Sequence, residues 1–125
     1  MPQISDVNII DVSGDINYRS TKHCICISVS KDRYLIINTE HRKMYDDFLI
    51  ESSIYSFLDG KDRFICCSGM YEFSSDKIIK KVGNLNFIDM SKIMEKIQKS
   101  RVIDKIDKDS VIPELDKWLS DNSPA

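Results

Sequence analysis

Only 3 prolines and 4 glycines punctuate the 125 residues, which excludes a collagenous, proline-rich or linker-type chain. No apolar run approaches the roughly 20 residues that a membrane span needs. The opening Met1-Pro2-Gln3-Ile4-Ser5-Asp6 has no basic head followed by an apolar stretch, so a secretory leader is not expected and the expected compartment is the cytoplasm. No charge of one sign dominates. Eighteen basic and 20 acidic side chains leave a net charge of -2, which argues against a duplex-DNA coat and against a polybasic membrane binder. Also missing are a P-loop, a G-x-G-x-x-G turn, an H-E-x-x-H helix, a G-x-S-x-G elbow and a calcium loop.

What the chain does have is a core: 42% of its residues are hydrophobic, enough for one domain at this length. Its four cysteines fall as Cys24-x-Cys26 and as adjacent Cys66-Cys67. Neither spacing is the C-x-x-C of a zinc knuckle or redox pair, and they read as small buried thiols. No metal and no cofactor is expected. Asp46-Asp47-Glu51 comes nearest to a carboxylate cluster, but adjacent aspartates diverge on a strand, and the trio reads as solvated surface.

Short apolar segments crowd the first two thirds. Cys24–Val29 and Arg33–Asn38 flank the polar connector Ser30-Lys31-Asp32 and predict a hairpin. Arg63–Ser68 follows the turn Asp59-Gly60-Lys61-Asp62 as a further strand, with shorter ones expected at Tyr71–Phe73 and Lys77–Val82. The period then changes. Met90, Ile93, Met94 and Ile97 fall on one helical face behind a cap at Asp89, ending near Arg101. A second helix is expected from Ser110, with Pro113 in its first turn and Ile112, Leu115, Trp118 and Leu119 as its stripe. The expected fold is therefore mainly β, a small curled sheet or barrel with a C-terminal helical segment. Residues 1–108 would form the barrel-like domain with its terminal helix, and 109–125 an acidic helical tail.

Charge lies in blocks: +3 over residues 22–43 and +5 over 77–108, against -5 over 44–76 and -3 over 109–125. Were folding to unite the basic blocks, a nearly neutral chain would own a cationic groove. Metal-free RNA cleavage needs little more: a base for the 2'-hydroxyl, an acid for the departing 5'-oxygen, and cations for the phosphorane. Both histidines sit beside such groups, in Thr21-Lys22-His23 before the first hairpin strand and Thr39-Glu40-His41-Arg42-Lys43 after the second. A hairpin brings these clusters to one end of the sheet. His23, Lys22, Thr39 and His41 are the catalytic candidates, with Arg42, Lys43 and Arg63 as substrate-binding cations. The plainer alternative for each is a side chain facing water, with Asp59 or Asp62 occupying Arg63.

The order of segments resembles the PemK/MazF-like family. Five pieces carry the resemblance: Gly14-Asp15-Ile16; Lys22-His23-Cys24-Ile25-Cys26-Ile27-Ser28; Leu35-Ile36-Ile37-Asn38-Thr39; Phe64-Ile65-Cys66-Cys67; and the helix lead-in Lys81-Val82-Gly83-Asn84-Leu85-Asn86-Phe87-Ile88-Asp89-Met90. The resemblance implies an SH3-like barrel that dimerises, cuts single-stranded RNA without a metal, and is held inactive by a small antitoxin. It places Lys22 at the family's catalytic arginine, His23 at the neighbouring proline, and Thr39 at the hydroxyl residue ending the next strand. Lysine keeps the charge but loses the planar fork, and the Ser30–Asp32 connector is shorter than the family's substrate loop.

Three functions follow as expectations. The first is an RNA-cleaving toxin-like barrel, with single-stranded RNA as substrate, an antitoxin or other protein as partner, and a homodimer as the assembly. The second is a catalytically silent barrel that binds RNA or a protein. The third is an interaction protein using its Met90–Ile97 stripe or the Trp118 segment. No membrane partner is expected.

Overall fold

A computed structural model describes residues 2–13, 21–38 and 47–124. Its strands are β1 (Asp6–Asp11), β2 (Thr21–Ser28), β3 (Arg33–Ile36), β4 (Phe48–Ile50), β5 (Arg63–Ile65), β6 (Tyr71–Glu72) and β7 (Ile78–Asn84). Helices α1 (Phe87–Lys99) and α2 (Lys105–Asn122) follow, and short 3-10 turns occupy Ser56–Leu58 and Ser75–Lys77.

The predicted hairpin forms, with Cys24 opposite Ile36 and Cys26 opposite Tyr34. Asp32 takes a left-handed φ of 52° in the connector. β1, hidden in the polar-looking opening, adds to the other side of β2 and pairs Val7 with Ile25 and Ile9 with His23. The resulting antiparallel sheet runs β6-β3-β2-β1-β7, while β4 and β5 pair separately. A bridge from Ile37 to Ile65, with Asn38 N donating to Phe64 O at 2.8 Å, ties β5 to the end of β3.

This architecture corrects the expected barrel. Among the described residues the two sheets are open: the larger ends in β7 on one side and a two-residue β6 on the other, and these do not pair. Helices account for 13 and 18 residues, so the fold is mixed α and β rather than mainly β. The apolar face is buried by helices instead of by curling of the sheet upon itself. Gly14-Asp15-Ile16 lies outside the described residues, and Asp6–Asp11 is the first strand.

Alternation along β2 divides the core in two. Ile25 and Ile27 join Val7, Leu35, Met90, Ile93, Ile97, Val111 and Leu115 between sheet and helices. Cys24 and Cys26 pack on the other face with Ile10, Val12, Tyr34, Ile36 and Phe73. Each buried aliphatic side chain of this size contributes about 1.5–3 kcal/mol relative to exposure. The four cysteines form no disulfide, three of them are buried, and burial pushes the Cys24 and Cys26 thiols up to about 12.

Helix ends differ from expectation in an instructive way. Asn86, not Asp89, caps α1, accepting from Asp89 N at 2.8 Å. The Asp89 carboxylate instead accepts from the Tyr55 hydroxyl. α2 starts five residues earlier than the stripe suggested, at Lys105, capped by Asp104 accepting from Asp107 N at 2.9 Å. Pro113 therefore lies inside α2, where it lacks the N–H for one helical bond. Among the described residues no helix is long and apolar enough to cross a membrane.

Candidate functional site

His23 faces the helix-covered side of the sheet, because it alternates in phase with Ile25 and Ile27. Its carbonyl accepts from Ile37 N at 2.9 Å, and Ile37 in turn bridges to Ile65 on β5. Arg63, two residues before Ile65, is thereby carried to the His23 end of the sheet. The two line one small cavity of about 90 Å³, with Ile37, Phe57, Leu58 and Asp59 as its other walls.

Phe57 forms the lid of the imidazole: the rings stack with centroids 6.4 Å apart and planes 19° from parallel. That stack depends on Gly83 of β7. A Cβ there would lie 2.7 Å from Phe57 Cδ2, so the glycine is what lets the ring lie down against the strand. Asp59, in the left-handed conformation with φ 54°, and Gly60, φ 77°, turn the chain back toward β5. A wider groove of about 470 Å³ continues from His23 along Ile9, Ser56, Phe57, Asp59, Lys80, Lys81 and Val82.

Half-burial is the main force on His23, and the Arg63 guanidinium adds to it; together they outweigh Asp59 and hold the imidazole below its ordinary 6.5. At neutral pH the ring is therefore neutral, able to accept a proton beside a fixed cation.

Of the residues singled out from sequence, His23 and Arg63 share this cavity. Lys22 does not: it projects to the opposite face, in phase with Cys24 and Cys26. Thr39, His41, Arg42 and Lys43 lie outside the described residues, as does Asp46. Asp62 accepts from Ser52 N at 2.8 Å and Ser52 Oγ at 3.0 Å, which lowers its carboxyl pKa. Asp47, read as solvated surface, is 1% exposed and accepts from Asn38 Nδ2 at 3.4 Å. Among the described residues no three His, Cys, Asp or Glu side chains converge as a metal site.

Phe57, Asp59, Lys80 and Lys81 escaped the sequence reading as site residues. The Asp59-Gly60 turn was visible, but its approach to His23 depends on the β3–β5 bridge, which leaves no local signal.

No family model matches the chain, and no curated protein matches it. Among solved structures it is similar to a chain of an endoribonuclease in complex with its cognate antitoxin from Mycobacterial species. The identity is 13% and the TM-score 0.58, over 78% of this chain and 91% of that one. At that identity the likeness is one of fold.

Proposed function

We propose that this chain is a toxin-like endoribonuclease that cuts single-stranded RNA without a metal. The observation that carries the reading is the neutral imidazole of His23 lining one cleft with the Arg63 guanidinium, next to a lysine-bearing groove that His23 also lines. The fold likeness to the endoribonuclease complex supports it. In this scheme His23 Nε2 or Nδ1 takes the 2'-hydroxyl proton as the oxygen attacks phosphorus, and Arg63 meets the charge on the phosphorane. Lys80 holds the backbone. His41 returns a proton to the departing 5'-oxygen, Thr39 positions the scissile phosphate, and Arg42 and Lys43 add charge around it. The products are a 2',3'-cyclic phosphate and a 5'-hydroxyl. A homodimer and a protein partner of the antitoxin kind belong to the same proposal.

A second reading, an RNA or protein binder without turnover, is favoured by one observation. Lys22 and His23 project to opposite faces of β2, so that strand does not present both to one phosphate.

Incubation with mixed-sequence single-stranded RNA in chelator, followed by end-group analysis, separates the two. Cyclic-phosphate ends that disappear in His23→Ala, with the variant's circular dichroism unchanged, are the expected outcome. Intact RNA with the folded wild-type protein would transfer the chain to the binding reading.

A further inference from the structure

On the sheet face turned away from the helices lies a second cavity, of about 390 Å³, lined by Pro2, Asp6, Asn8, Ser75, Ile78 and Lys81. That volume is in the range of small-ligand sites. Asn8 is only 3% exposed, and its Nδ2 has no hydrogen-bond partner among the described residues. A buried amide without a partner is destabilising, so a strand interior holding one calls for a reason.

The surrounding charges are already matched. Asp6 Oδ1 accepts from Asn84 Nδ2 at 2.7 Å and pairs with Lys81 Nζ at 3.1 Å, while Asp6 Oδ2 accepts from Gln3 N at 2.8 Å. With Asp6 and Lys81 paired, the cavity suits a neutral group better than an anion. Pro2 and Ile78 add apolar wall, and Ser75 brings a hydroxyl. A flat, largely apolar group with a carbonyl or ring-nitrogen acceptor on its edge fits those demands, and a nucleobase is such a group.

Position supplies the link to the first site. Lys81 on β7 lines both this cavity and the groove leading to His23. Among the described residues β7 is an edge strand, so a single strand of RNA crossing it meets the groove on one face and Asn8 on the other.

Resting on the RNA reading above, we propose that the Asn8 cavity receives an unpaired base of the single-stranded RNA, with Asn8 Nδ2 donating to an acceptor on the base edge. Asn8 is thus a specificity residue, remote from the cleavage chemistry.

Two measurements on the full chain test it. The first compares binding of six-nucleotide single-stranded RNAs and their abasic counterparts, by fluorescence anisotropy, in wild type and Asn8→Leu. Asn8→Leu should weaken binding of the base-bearing RNA about 10-fold, in line with one good base contact, and leave the abasic RNA unaffected. The variant should also melt no lower than wild type, because it removes an unpartnered polar group. Equal loss on both RNAs, or no loss on either, would overturn the proposal. The second follows the Asn8 side-chain amide by NMR during titration with uridine, cytidine, adenosine and guanosine. A shift with any nucleoside supports the base pocket even should the chain fail to cut or bind RNA, in which case only the cleavage reading falls. RNA cleavage with a silent Asn8 amide would sink the pocket and leave the cleavage reading standing.

Discussion

A histidine that is neutral at pH 7 for two separate reasons, burial and a neighbouring guanidinium, makes a measurable statement about acid. Its folded value lies below the unfolded one, so below about pH 6.5 the unfolded chain binds the extra proton. The contribution of His23 to stability is therefore complete above that pH and is lost as pH falls. For the same reason the acidic limb of an RNA-cleavage profile should sit below pH 6.5, and Arg63→Gln should raise it. An NMR titration of the His23 ring in both proteins reads this directly. Identical midpoints would show that Arg63 does not act on the imidazole.

Elements are fastened to one another by a few side chains, and two fasteners are open to test. Gly83 on β7 admits Phe57, and Phe57 covers His23. Gly83→Ala forces the ring to move, at about 1–3 kcal/mol for overpacking, and should return the His23 titration midpoint toward 6.5. A variant that loses stability while the midpoint stays would separate the glycine from the site. Glu114 of α2 holds the β2–β3 connector: its carboxylate accepts from Ser28 Oγ at 2.8 Å, Val29 N at 2.7 Å and Ser30 Oγ at 2.6 Å. Partial burial opposes ionisation there, but these bonds prevail and lower the carboxyl below its ordinary 4.5. The contact is thus complete above about pH 4.5 and weakens as pH falls below it. Glu114→Gln should cost about 1.5–3 kcal/mol, the worth of hydrogen bonds to a charged group, in urea denaturation at pH 7. It should also flatten the acid dependence of stability below pH 4.5.

At the scale of the molecule, one apolar face of the open sheet is covered by α1 and α2. Val111 and Leu115 are fully buried beside Ile93 and Ile97, so the acidic C-terminal segment is pinned by apolar contacts despite its charge. Leu115→Ala should lower stability by about 2–5 kcal/mol, as for other large-to-small core changes. A thermal melt checks it, and an unchanged midpoint would mean that α2 does not share the core.

Local chemistry makes several features legible in the sequence. The β2–β3 hairpin followed from two apolar runs around Ser30-Lys31-Asp32. The apolar face of α1 followed from the spacing of Met90, Ile93 and Ile97, and the buried thiols from their place in apolar strands. β1 stayed hidden because Asp6, Asn8 and Asp11 interrupt its hydrophobic pattern. The start of α2 was missed because Pro113 looked like a first-turn residue. The barrel expectation failed at another level. Which strand edges meet, and whether helices or further strands cover a face, is set by contacts between residues far apart in the chain.

The same division runs through the site. His23 and Arg63 could each be marked as chemically able from their type, and alternation alone separated Lys22 from His23 once β2 was a strand. Their meeting is another matter. It rests on the bridge between Ile37 and Ile65, on the turn at Asp59-Gly60, and on a ring resting against Gly83. Side-chain chemistry and short-range periodicity are properties of neighbours in sequence, and the sequence by itself determined them. The environment that keeps His23 neutral, and the unpartnered amide of Asn8, are products of burial by distant segments, and only the tertiary structure decided those.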